Sequence, residues 1–173
     1  LVAERGIGAL TVRGLARAAG VSTGVVSHYF QDSQDMLFAA HQLVYGSSGR
    51  RLLDDLAANT GLEGLMLALG NSLPTESAAL AEWKVRIAFW GVSDFGEAVR
   101  EFEEQASQSF TEVIARELSS RGYVGNAEAL AEDLEAGLTG LAIQHLMSPG
   151  VHPAESIRSR FREQFNKGVG REF

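Results

Sequence analysis

Cysteine is absent from this 173-residue chain, and proline occurs only at positions 74, 149 and 153. Without thiols there is no disulfide framework, no thiolate nucleophile and no Cys-ligated zinc site, which fits a cytoplasmic home. So few prolines leave long stretches in which a helix need not break, and the three that occur fall between predicted helices. Strand signals are lacking. No apolar run approaches the roughly 20 residues needed to cross a bilayer, and the first residues show no signal-peptide core, so a membrane partner is not expected. Basic charge is also scarce, with a net charge of −7. Its distribution is uneven: residues 1–51 carry five Arg against three acidic residues, the remainder ten Lys or Arg against nineteen. An acidic body disfavours indiscriminate adhesion to nucleic acid and leaves binding to short-range contacts at the N-terminal end.

Catalytic signatures are missing too. There is no nucleophile elbow, phosphate-binding loop, dinucleotide fingerprint or His-Glu-x-x-His pattern, and His41 and His152 lack partners at metal-ligand spacing. Neither a metal nor a cofactor is expected, and no catalytic residue is nominated. The carboxylates Glu101, Glu103 and Glu104 read as a solvated helix surface. An enzyme is the disfavoured class.

What the chain does have is a dense pattern between Thr11 and Phe30. Val12, Leu15, Ala16 and Ala19 recur at the spacing of one buried helical face, with Thr11 as N-cap and Arg13, Gly14 and Arg17 toward solvent. Gly20 falls where that helix must stop, since a residue without Cβ enters a left-handed conformation cheaply. Val21 can tuck into a small core, and Ser22 or Thr23 caps a second short helix through Val25, Val26 and Tyr29. This is the spacing of a helix-turn-helix, whose second helix reads the major groove; spacing alone also fits an ordinary helix pair.

The residue identities go further. Leu10-Thr11-Val12-Arg13, Leu15-Ala16, Ala19-Gly20-Val21-Ser22, Gly24 and Ser27-His28-Tyr29-Phe30, followed by Leu37 and Ala40, resemble the DNA-binding domain of the TetR family of bacterial transcriptional repressors, closest to its choline-responsive, BetI-like branch. The resemblance implies an all-α fold: an N-terminal three-helix helix-turn-helix DNA-binding head at residues 1–45, its first helix beginning upstream of Leu1, and a helical ligand-binding and dimerisation body at 46–173. It also implies that Thr11 and Arg13 touch phosphates, that Ser22, Thr23, Gly24, Ser27 and His28 serve the groove-facing end of the recognition helix, and that Tyr29 is its phosphate-contacting aromatic. Ser33 stands where family members usually carry Lys, so one cationic contact is missing. The function implied is a repressor that binds palindromic double-stranded operator DNA as a homodimer and is released by a small-molecule effector. A ligand-independent DNA-binding or scaffold protein of the same fold is the alternative.

In the body, Asp32 or Ser33 caps a long helix carrying Met36, Leu37, Ala40, Leu43, Val44, Leu52, Leu53 and Leu56. The poor helix formers Gly46-Ser47-Ser48-Gly49 sit in its middle, as a hinge or as a tolerated weak spot. Leu62 to Leu73 form a short helix before Pro74. From Ser77 to Val92, large apolar residues fall on more than one face, marking a helix surrounded by protein. Trp83, Phe89, Trp90, Phe102 and Phe110 gather bulky aromatics on two successive helices, near the polar Glu82, Lys84, Arg86, Asp94 and Glu103. Such a cluster is either plain core or the wall of an effector pocket; the family resemblance adds an aromatic cage for a cation at Trp83 and Trp90. On the last two helices, Gly137 and Gly140 and the apolar face of Leu134, Leu138 and Leu141 suggest close approach of a second copy. Phe161 and Phe165 stripe the final helix, which the resemblance pairs into the dimer interface. His145 lies on the same face as the leucines, either as a ligand contact or pH-sensitive interface group or as a hydrogen-bonded core or interface histidine.

Overall fold

A computed structural model of the protein describes residues 1–91 and 96–170; Val92 and Asp94 lie outside the described residues. A single turn, α1 (Val2–Arg5), leads through a 3-10 turn (Ile7–Ala9) to α2 (Val12–Ala19) and α3 (Thr23–Tyr29). The long α4 (Ser33–Ala58) then runs into the body, formed with α5 (Gly61–Gly70), α6 (Ser77–Trp90), α7 (Glu97–Ser120), α8 (Ala127–Met147) and α9 (Ala154–Gly168). Among the described residues there is no strand.

Local chemistry sets these boundaries. The Thr11 hydroxyl accepts the Gly14 amide at 3.0 Å, and Gly20 closes α2 with φ of 69° in the left-handed region. Ser22, rather than Thr23, caps α3 by accepting the Val25 amide at 3.3 Å. Asp32, rather than Ser33, caps α4 by accepting two amides, from Gln34 at 2.8 Å and Asp35 at 2.9 Å. At the far end of α4, Arg121 donates to the Leu56 and Asn59 carbonyls at 2.8 and 2.6 Å, satisfying groups that the helix terminus would leave orphaned. Helix α4 is continuous through Gly46-Ser47-Ser48-Gly49 and through the expected boundary at residue 45.

Two positions depart from their sequence reading. Gly14 does not simply face solvent: a Cβ there would lie 2.3 Å from the Ala9 carbonyl oxygen, so α2 crosses the 3-10 turn at backbone contact. Val21 does not tuck inward; it stays 42 % exposed because the left-handed Gly20 turns it outward.

The interior has two apolar clusters. The body cluster unites α5, α7, α8, α9 and the end of α4 around Leu65, Leu69, Ile114, Leu118, Ile157 and Phe161. The head cluster joins Val2, Leu10, Ala16, Val26, Met36 and Leu37 to Val85 and Phe89 of α6. The proposed dimer residues Leu134, Leu138, Leu141, Phe161 and Phe165 belong to the body cluster and are at most 6 % exposed within the single chain. Within the single chain the apolar stripes of α8 and α9 pack on α7, on α5 and on each other, and the outward surface of these two helices carries other residues. Gly137 lies against the Gln164 side chain, whose amide donates to the Asp133 carbonyl at 2.8 Å. His145 is tied by Nδ1 to the His152 carbonyl at 2.7 Å, the hydrogen-bonded alternative of its two readings.

Candidate functional site

Helix α3 buries only Val26, which anchors it to α2 and α4, and leaves the rest of its surface open. Thr23, Gly24, Ser27 and His28 lie exposed along it, and Tyr29 at its end is 72 % exposed, its ring edge-on to His28 with centroids 5.2 Å apart. An aromatic of this size left in water on a capped helix is unusual for a fold's own needs. Thr11 and Arg13 at the start of α2, Ser22 before α3 and Ser33 at the start of α4 are exposed as well. Thr11 and Ser22 already use their hydroxyls as caps, so any phosphate they meet shares an oxygen committed to the helix start.

A second site opens in the body. Helices α4, α6, α7 and α8 enclose a cavity of about 550 Å³, a size that suits a small organic molecule. Trp83, Phe102 and Phe110 line it, with Leu52, Val113 and Leu138. Gly46, Ser48 and Gly49 also line it, so the weak segment of α4 is part of the cavity wall. Phe89 and Trp90 are not part of that wall. Phe89 belongs to the head cluster, and Trp90 packs against that cluster and edge-on to Trp83 with centroids 6.2 Å apart.

The cavity's charged groups are arranged in a definite way. Glu82 takes a bidentate pair from Arg51, both contacts at 2.6 Å, and a hydrogen bond from the Ser47 hydroxyl at 2.9 Å, so its charge is met. Burial pushes Glu135 above the ordinary carboxylate range, opposed by the Ser107 hydroxyl at 3.0 Å and by the charge of Arg86. The Arg86 guanidinium stacks between two rings, its carbon 4.6 Å from the Tyr45 centroid and 4.7 Å from that of Trp83. Burial raises the Tyr45 phenol to about 12; Arg86 opposes that shift and Glu103 adds to it.

Between cavity and head lies a polar cluster that sequence reasoning missed. His41 on α4 is fully buried, and its ring stacks on Phe89 with centroids 3.9 Å apart and planes 13° from parallel. Its Nε2 pairs with the Glu103 carboxylate, which also accepts the Tyr45 hydroxyl at 3.2 Å. Burial resists ionisation of Glu103, but the hydrogen bond and charge of His41, helped by Tyr45, outweigh it and hold the group below the ordinary carboxylate range. Glu103 therefore is not a solvated surface acid. It turns inward because helix α7 brings its face against His41, a pairing 62 residues apart that no local pattern announces.

The comparisons with known proteins bear on both sites at once. Residues 1–40 match the profile of bacterial regulatory proteins of the tetR family, and residues 62–167 match the C-terminal domain of BetI-type transcriptional repressors. The chain belongs to the TetR family. The TetR-type head is its helix-turn-helix DNA-binding unit, and the BetI-type match takes in the helices of the body that follow α4; the family is one of transcriptional regulators, not of enzymes. Similar curated proteins include the HTH-type transcriptional regulator BetI of Cronobacter sakazakii, 29 % identical over 89 % of this chain and 78 % of that protein. BetI of Klebsiella pneumoniae is 26 % identical over 93 % of this chain and 86 % of its own length. A transcriptional regulator from Rhodococcus sp. Rha1 has the same fold with a TM-score of 0.84 at 25 % identity, covering 98 % of this TetR-family chain and 90 % of that one. A regulator from Saccharomonospora viridis, solved in complex with choline, superposes with a TM-score of 0.82 at 23 % identity, covering 96 % and 90 % of the two chains.

Proposed function

We propose that this TetR-family protein is a ligand-responsive repressor that binds a palindromic operator as a homodimer and leaves it when a small molecule fills the body cavity. The observation that carries this reading is the course of α6. One face of that helix supplies Trp83 and Arg86 to the cavity, and its last turns supply Val85 and Phe89 to the head cluster. Anything that moves α6 to accommodate a ligand therefore moves apolar contacts of the head. Thr23, Gly24, Ser27 and His28 face the groove, Tyr29, Thr11 and Arg13 meet phosphates, and Ser22 and Ser33 flank them. Two such helices must meet successive major grooves about 34 Å apart, which a two-fold pair supplies. Support for pairing through the outer surface of α8 and α9 comes from a shallow groove at Gly137 and Gly140 and from the exposed Ile143, Met147 and Val151 at one end. The effector prefers the packing in which the heads are wrongly spaced, so by linkage it weakens operator binding by the factor with which operator weakens effector binding.

Footprinting on the intergenic DNA beside the protein's own coding region tests the reading. A protected palindrome is expected, lost when candidate metabolites are added. Protection that no metabolite changes would favour a ligand-independent DNA-binding or scaffold role. Thr23→Ala and His28→Ala should each cost about 1–3 kcal/mol of discrimination between operator and mismatched DNA; discrimination intact in both would refute the groove assignment.

A further inference from the structure

The cavity already contains a cation. Tyr45 and Trp83 form the kind of aromatic pair that recognises a positive charge, and the chain's own Arg86 lies between them. A ligand ammonium could take that place only by expelling a guanidinium from two ring faces. The acids that line the same cavity do not invite a second cation either. Glu82 is saturated by Arg51 and Ser47, and Glu135 is biased by burial toward its neutral form and held by Ser107. Glu103 is turned away to His41 and Tyr45.

Arg86, by contrast, is not satisfied. Among the described residues it has no carboxylate at ion-pair distance, and its buried Nε finds no hydrogen-bond partner. A buried guanidinium N–H with no acceptor, on a half-buried side chain that Glu135 reaches only from beyond ion-pair distance, is a standing cost that an acceptor on a ligand would relieve. Around it the wall is apolar: Leu52, Phe102, Phe110, Val113 and Leu138. The Glu135 carboxyl, when protonated, could donate to the same oxygen.

We infer that the cavity is built for an amphipathic organic anion, an apolar body ending in one carboxylate that docks on Arg86 held between Tyr45 and Trp83. This rests on the ligand-responsive reading and sharpens it, naming the class of effector as an anion where an empty cage would have taken a quaternary ammonium ion.

The test is calorimetry on the full chain with four probes: octanoate, its neutral analogue octanamide, octyltrimethylammonium and choline. Octanoate should bind at least 10-fold tighter than octanamide, and Arg86→Gln should remove that preference, an effect of about 10- to 100-fold. Arg86→Lys, which keeps the charge, should retain part of it. Should Arg86→Gln not fold, the octanoate-to-octanamide ratio in the unaltered protein still decides. Octanoate binding no tighter than octanamide, an Arg86→Gln variant that keeps the preference, tighter binding of octyltrimethylammonium or choline, or no binding by any probe would each overturn the inference. Gel shifts with the operator separate the two layers. If octanoate binds as expected yet leaves operator affinity unchanged, the anion site stands and the ligand-responsive reading falls. If a cationic probe releases the operator and octanoate does not, that reading stands and the anion site falls.

Discussion

The two apolar clusters of this protein differ in self-sufficiency. The body cluster closes on itself, with Leu65, Leu69, Ile114, Leu118, Leu134, Ile157, Phe161 and Phe165 drawn from α5, α7, α8 and α9 and all essentially inaccessible. The head cluster has no comparable mass of its own. Its short helices α1, α2 and α3 contribute Val2, Ala16 and Val26, and the cluster is completed by Met36 and Leu37 of α4 and by Val85 and Phe89 of α6. A module this small cannot bury enough apolar surface alone, so it borrows from the body. The borrowed residues sit on the two helices that also wall the cavity, and for that reason the head's packing can report what the cavity holds.

The difference predicts how far damage spreads. Phe161→Ala removes a fully buried ring from the self-contained cluster and should cost about 3–5 kcal/mol, lowering the denaturant midpoint of the whole chain. Phe89→Ala should cost about 3 kcal/mol or more, since it strips the head cluster and the His41 stack together. Its signature is locality: amide exchange should accelerate in α2 and α3 while α8 and α9 stay protected. Uniform acceleration across all helices would mean that head and body do not differ in this way.

Glycine substitutions sharpen the contrast at lower cost. Gly14→Ala forces a methyl against the Ala9 carbonyl, where backbone cannot yield cheaply, and should destabilise the head by about 1–3 kcal/mol. Gly49→Ala is the opposite case, because a Cβ there meets nothing within 4 Å. It should stabilise α4 by up to about 1 kcal/mol, seen as a raised midpoint. If the soft segment of α4 serves as a hinge, Gly49→Ala should also raise the effector concentration needed to release the operator in a gel shift; if it is only a tolerated weak spot, that concentration stays unchanged.

Much of the head was legible because its signals are local. Thr11, Gly20 and the hydroxyls after it are caps whose chemistry acts within four residues, and the Thr11-to-Phe30 spacing maps directly onto α2 and α3. Gly14 and Val21 were misjudged for a shared reason: their environments depend on how the turn carries one helix over another, which periodicity does not encode. In the body, helix order and apolar stripes were readable, but the partner of each stripe was not. Leu134, Leu138 and Leu141 are equally apolar whether they meet α7 or a second copy, and only three-dimensional packing places them in the cluster within the chain, where α8 lies against α7 and α9. Trp83, Phe102 and Phe110 could be grouped by sequence proximity, yet that same proximity swept in Phe89, which the helical rotation of α6 points elsewhere, and Trp90, which lies two turns beyond Trp83 along the helix. The His41–Glu103 pair joins residues 62 apart in sequence, and the Arg86 stack adds Tyr45 of α4 to its near neighbour Trp83; no motif foretold either meeting between helices.

The smallest effect comes from the carboxylates on either side of this divide. Glu103, beside the head, is held below its ordinary value of 4.5, so its favourable contribution is present above that value and is lost as pH falls through the lower one. Glu135, in the cavity, is raised above the same ordinary value, so folding gains from it below pH 4.5 and loses that gain as pH climbs through the raised value. The two windows therefore lie on opposite sides of pH 4.5. Glu135→Gln should leave stability nearly unchanged below that point and make the protein relatively more stable above it, with the difference growing across the raised range and then flattening. Glu103→Gln should instead destabilise near neutral pH, with the deficit shrinking in acid. Denaturant midpoints measured from pH 3 to 7 on both variants, without ligand, check the signs. A Glu135→Gln curve that parallels the unaltered protein throughout would mean that the cavity carboxyl is as well solvated as a surface acid, and its part in receiving an anion would go with it.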